Sequence, residues 1–256
     1  MAGAAGSHRI EVIGLSGLPE IRRGDDLVAL SLDACEREGI EPADGDVFVF
    51  TQKIVSKSEG RIVSLAAVEP GDLASRFGKE SGRDPRLVEL ILREARRVVR
   101  MDQGVLVTET LHGLVCANSG VDASNVEEKD SVCLLPEDPD RSAEALRSEL
   151  AARTGKRVAV LVTDTFGRPW REGQVNVAIG VAGMEPITDL RGLADSSGRK
   201  LMVSEIAVAD EIAGAAELVM GKLDRIPVAL VRGYAYQPGG SGMRRLLRDR
   251  AQDLFR

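Results

Sequence analysis

Apolar positions along this chain follow two spacings. Short apolar or alternating runs read as strands at residues 9–15, 47–50, 61–65, 104–110, 113–120, 158–162 and 227–232. The runs at 104–110 and 113–120 flank Leu111-His112 and read as a hairpin. Other segments repeat at helical spacing. Asp25 and Asp26 open a helix that Gly39 closes. Asp84 caps another, with Pro85 at its first position. Leu87, Leu90, Ile91, Ala95, Val98 and Val99 share one face of that helix, which is read as packing. Further helices are predicted from Asp140 to Ala152, over 208–220, and over the basic tail 243–255.

Composition narrows the class. The chain has 256 residues, room for one large domain or two small ones. Hydrophobic residues are 43% and charged residues 29%, but aromatics only 3%. The core must therefore be built mostly of Val, Leu, Ile and Ala. A net charge of −6 argues against a nucleic-acid partner, since phosphate backbones want a basic face. No apolar run approaches the roughly 20 residues that span a bilayer, and the N-terminus lacks the pattern of a signal peptide. The expectation is a cytoplasmic protein without a membrane partner.

Cys35, Cys116 and Cys133 are an odd number with no CxxC pair, which suits free thiols. His8 and His112 are the only histidines, so a zinc site or a Ser-His-Asp triad would have to use one of them. His112 sits in a turn and is read as structural. A metal, if bound, falls to carboxylate and other oxygens, which suits Mg2+ or Mn2+.

Three places bring polar chemistry to the end of a buried strand. Residues 158–162 run into Thr163-Asp164-Thr165, a glycine, then Arg168, Trp170, Arg171 and Glu172. Ligand sites favour such strand ends, although a strand followed by a polar turn explains the same residues. Strand 47–50 leads into a loop bearing Gln52, Lys53 and Lys57, where lysines could hold phosphate or simply be solvated. The strand before Asn118 leads into Gly120, Asp122 and Asn125, which also fit an ordinary turn. Two strand ends, each offering one aspartate, could share a divalent ion. The chain has neither a GxxxxGK[ST] loop nor a GxGxxG after a strand.

Taken as a set, GLPEI (17–21), GDD (24–26), KIVSKSEGRIV (53–63), NSGVDASNVEE (118–128), LVTDTFGRPWREG (161–173), VADEIAGAAELVMGK (208–222) and IPVALVRG (226–233) closely resemble the coenzyme F420-0:L-glutamate ligases. The resemblance covers roughly residues 9–233 and matches the form without a fused flavin-binding domain. It implies GTP-dependent amide formation between F420-0 or F420 and L-glutamate through an acyl phosphate, in a homodimer. It also implies Mg2+ or Mn2+, two per site, with K+ a further candidate ion.

Residue by residue, Asp122 and Asp164 match ligands of the first metal, and Thr165 a ligand of the second. Leu18, Pro19, Glu20 and Ile21 match one nucleotide contact, and Gln52, Lys53 and Lys57 a second. Asn125 matches another. Met220, Gly221 and Lys222 fall in a further nucleotide- and metal-contacting loop at 218–225. Gln52 departs from the serine of relatives, which puts its side-chain contact in doubt. With Asp122, Asp164 and Lys57 as the catalytic group, the expected architecture is α+β: mixed β-sheets with packed helices, two closely joined lobes and one ligase domain spanning 1–256. The rival readings are a ligase of the same fold acting on another carboxylate, and a nucleotide-binding regulator without turnover. Arg168 and Arg171 are left between substrate grip and surface ion pairs, and Trp170 is read as packing.

Overall fold

The computed structural model describes residues 9–102, 104–124 and 129–253. It opens with β1 (Glu11–Leu15), α1 (Leu27–Arg37), β2 (Val47–Thr51), α2 (Gln52–Ser58) and β3 (Ile62–Ser64). The middle of the chain holds α3 (Asp72–Ser81), α4 (Pro85–Arg93), β4 (Ala95–Asp102), β5 (Val105–Thr110), β6 (Val115–Ala117) and β7 (Ser131–Cys133). Then follow α5 (Pro139–Thr154), β8 (Ala159–Arg168), β9 (Arg171–Ala182), β10 (Thr188–Asp189), β11 (Glu205–Ile206), α6 (Val208–Met220) and β12 (Val228–Arg232). The fold is α+β with mixed sheets.

The largest sheet has the order β1-β12-β2-β8-β9. Its β2–β8 pair is parallel and its other pairs are antiparallel. Val47 to Phe50 are wholly buried, as the unbroken apolar run predicts for a central strand. α1 and α5 pack on each other, while α6 packs on β1, β9 and β12. The Asp26 side chain caps α1 by accepting from Ala29 N at 2.9 Å. Gly180 of β9 lies so close to the start of α5 that a Cβ there would meet Pro139 O at 2.2 Å, so only glycine fits.

A second hydrophobic core lies under the smaller sheets β4-β5-β6 and β3-β7, which carry α3 and α4. It gathers Phe77, Val88, Ile91, Leu106, Val121 and Val132. The two cores correspond to the two expected lobes.

Several local expectations are corrected. α4 ends at Arg93, and Ala95, Val98 and Val99 belong to β4. Register shifts after Ala95 and after Val98 break the strand's alternation, so its apolar spacing imitates a helix. The lysine-bearing loop after β2 is helix α2. The basic tail forms 3-10 turns at Met243–Leu246 and Arg250–Gln252 in place of one helix, and residues 254 and 255 lie outside the described ones. Among the described residues, no helix is long and apolar enough to cross a membrane.

Candidate active site

The parallel β2–β8 ladder ends at the pair Thr51–Thr163. Beyond it β2 turns into α2, while β8 continues alongside β9 to Arg168. A crevice opens where two parallel strands part, the usual ligand position in such sheets. Here it is a cavity of about 590 Å3, walled by the 18–21 loop, α2, β8, the last turns of α6 and residues 221–227.

Thr163, Asp164 and Thr165 all line it, although neighbouring residues of a flat strand point opposite ways. The register supplies the reason. Val162 pairs with Gly180 but Thr163 with Ala178, leaving Ile179 as an extra residue that bends the hairpin. Asp210 of α6 holds this bulge, its Oδ1 accepting from Ala178 N at 2.9 Å.

Asp122 and Asp164 meet in this cavity from different lobes, and their environments differ. Asp122 is anchored by backbone bonds with Cys133 in both directions, at 3.0 and 2.8 Å. Its Oδ2 accepts from Lys53 Nζ at 2.7 Å and its Oδ1 from Ser124 N at 2.7 Å. Burial works to raise its pKa, but the Lys53 and Ser124 bonds outweigh burial and hold it below the ordinary value. Asp164 keeps an open edge on the cavity, yet protein crowds it from nearly every other side. Burial pushes its pKa to about 7, against the Thr165 backbone donor, and the charge of Asp122 pushes the same way. Behind them, burial raises the Cys133 thiol to about 11 and the Cys116 thiol to about 12, so neither offers a thiolate.

The cations come from α2 and the loop after α6. Lys53 Nζ also donates to Ser124 O and Oγ, both at 2.9 Å. Lys57 pairs with Glu20, tying α2 to the 18–21 loop. Arg37 braces the start of that loop by donating to the carbonyls of Ser16 and Gly17. Gln52 lines the cavity but is 2% exposed, and its Oε1 already accepts from Ser56 Oγ at 2.9 Å. Its side chain is thus committed internally.

Gly221, Lys222, Leu223 and Arg225 complete the rim. Met220 points the other way, fully buried in the main core, so its side chain does not share the cavity. Asn125 lies outside the described residues. His112, whose Nε2 meets Glu137 O at 3.1 Å, is not among the cavity residues, and His8 lies outside the described ones. Arg168 and Arg171 sit at the β8–β9 turn, outside the cavity lining. Arg168 donates across that turn to Glu172 O. Trp170, expected to pack, is 79% exposed there.

Two residues escaped the sequence reading. Asn176 of β9, 3% exposed, accepts from Thr165 Oγ1 at 2.8 Å and donates through Nδ2 to Glu217 Oε2 at 2.9 Å. Both Asn176 and Glu217 line the cavity. The available signal was that Asn176 is the lone polar residue within 175–183.

The donor set can be tested for a divalent ion. Among the described residues no three His, Cys, Asp or Glu side chains cluster as a self-sufficient metal cage. Two carboxylates and a hydroxyl, all hard oxygens beside a rim bearing Lys222 and Arg225, instead fit Mg2+ or Mn2+ completed by substrate oxygens and water. Burial chiefly raises Asp164, and the added repulsion from Asp122 is what a cation between the two aspartates would relieve.

Fold and cavity thus define an α+β protein that gathers carboxylates and lysines at a strand divergence, without a Walker loop. The F420-0:Gamma-glutamyl ligase family model matches residues 17–233. The coenzyme F420:L-glutamate ligase of Methanothermobacter thermautotrophicus is 44% identical over 250 residues, covering 96% of this chain and 99% of that protein. The protein of the same name from Methanocaldococcus jannaschii is 42% identical over 251 residues, covering 97% and 98%. That from Methanopyrus kandleri is 43% identical over 253 residues, covering 97% of each. The chain belongs to the F420-0:γ-glutamyl ligase family.

Proposed function

We propose that this chain is a GTP-dependent ligase that joins L-glutamate to the lactyl carboxylate of F420-0 and adds further γ-linked glutamates to F420. The observation that carries this reading is the meeting, in one cavity, of Asp122 and Asp164 with Lys53, Lys57 and Lys222. Near-full-length similarity to named ligases supports the substrates.

A free carboxylate is a poor acyl donor at neutral pH. In the proposed reaction a carboxylate oxygen attacks the γ-phosphorus of GTP, and GDP leaves with the bridging oxygen's electron pair. The glutamate nitrogen then attacks the acyl carbon, the C–O bond to phosphate breaks, and amide, phosphate and a proton result. The chain's task is positioning and charge compensation. Lys57 and Lys222 hold phosphate oxygens, while Lys53 keeps Asp122 ionised. Residues 18–21 frame the nucleotide. Asp122, Asp164 and Thr165 would hold Mg2+ or Mn2+, which when bound neutralises charge on the transferring phosphoryl group.

The proposal includes a cytoplasmic homodimer with one ligase domain per chain. The purified protein incubated with F420-0, L-glutamate, Mn2+ and GTP should yield GDP, phosphate and a product heavier by one glutamyl residue, with ATP a poorer donor. GTP binding without phosphate release would sink the enzyme reading. Turnover only on another acid from a panel would relocate the substrate.

A further inference from the structure

The cavity's charged side chains balance in number but not in pairing. Lys53, Lys57, Lys222 and Arg225 face Glu20, Asp122, Asp164 and Glu217. Two of these carboxylates already hold lysines: Glu20 binds Lys57 and Asp122 binds Lys53. Asp164 belongs to the oxygen set suited to a divalent ion. Glu217 differs from all three. Its Oε2 accepts from the neutral Asn176 amide, and its Oε1 has no hydrogen bond or ion pair among the described residues. Asn176 is itself nearly fully buried and fixed from its other side by the Thr165 hydroxyl. Glu217 is therefore a preoriented carboxylate acceptor in a cavity that also holds four cationic side chains.

An amide-forming site that gathers phosphate with lysines has a second problem. Its nucleophile arrives as an ammonium, which those lysines repel. A carboxylate without a cation of its own is the group that would receive it. We propose that Glu217, held by Asn176, is the residue that binds the α-ammonium of the incoming amino acid and brings its nitrogen into the cavity. This rests on the ligase reading above and adds to it the recognition of the amine. Glu217 projects from the last turn of α6, and Asn176 from the strand paired with Thr165, so the amine is placed on the β8–β9 side of the pocket.

The test separates amine recognition from acyl activation. Hydroxylamine is uncharged at neutral pH and traps an acyl phosphate by attack of its nitrogen on the carbonyl, releasing phosphate and leaving a hydroxamate. It needs no ammonium site. In Glu217→Gln the new amide oxygen can still accept from Asn176, so the local bond survives while the charge goes. The KM for L-glutamate should rise about 10- to 100-fold, the range for losing a charge-assisted contact. Hydroxamate formation from F420-0 and GTP, the KM for GTP and Mn2+ affinity by calorimetry should stay within about twofold of wild type. Glu217→Asp should recover part of the glutamate affinity.

Parallel loss of ligation and hydroxamate, weakened Mn2+ binding, or an unchanged KM for glutamate would each overturn the assignment. A wild-type protein that forms neither amide nor hydroxamate would overturn the ligase reading itself, so the two failures are told apart.

Discussion

Asp122 and Asp164 are the same side chain in the same cavity, and the protein treats them in opposite ways. Asp122 comes from a loop of the smaller lobe, is fixed by its neighbours' backbone, and carries its own counter-ion in Lys53. Asp164 comes from a strand of the main sheet, is fixed by strand pairing, and has its pKa raised to about 7. One aspartate is kept charged by the protein, whereas the other is placed where its charge is unfavourable until something else compensates it. A cation site built this way has a permanent anion on one wall and a conditional one on the other.

The largest expected effect tests whether both walls are needed. Asp164→Ala and Asp122→Ala should each lower turnover by about 10^3-fold or more, with circular dichroism unchanged. Near-normal amide formation by both variants would remove the shared-ion reading. A smaller effect should come from removing the permanent counter-ion. Lys53→Met should lower kcat/KM about 10-fold or more and move the acid limb of the rate profile upward, because Asp122 then loses the contact holding its pKa low. An unmoved acid limb would mean that Ser124 alone holds Asp122.

The smallest effect concerns stability without metal. A carboxyl with a raised folded-state pKa binds its proton more tightly when folded. Its stabilising contribution is fully present below the ordinary aspartate value and is lost as pH rises through about 7. Metal-free wild type should therefore lose roughly 5 °C of Tm between pH 5 and 8 relative to Asp164→Asn. Parallel Tm curves would contradict the raised pKa.

Much of this was readable before any coordinates, for identifiable reasons. α6 was expected over 208–220 and spans Val208–Met220, because acidic residues open it and Gly221 closes it. The strand runs at 47–50 and 227–232 were legible because burial on both faces leaves an unbroken apolar signature. The region around Val98 failed because two register shifts scramble its alternation. α2 failed because it is only seven residues, rich in Lys and Ser, and too short to display a period.

The site was legible where it lies in contiguous stretches and illegible where it depends on meetings. Asn176 and Glu217 are 41 positions apart in sequence. Nothing local to either announces the other, and the β9 bulge that brings three consecutive β8 residues to the cavity leaves no mark beyond a glycine-rich run.

The strand order has a consequence for how the protein comes into being. β12 is the last strand made, yet it sits between β1 and β2, and Ile226 and Pro227 just ahead of it wall the cavity. β2 and β8, which define the crevice, are joined in parallel across more than a hundred intervening residues, a pairing that forms slowly. A chain still on the ribosome therefore has no complete pocket until β12 has emerged. A product truncated between Lys222 and β12 would carry every aspartate and lysine of the site without the site.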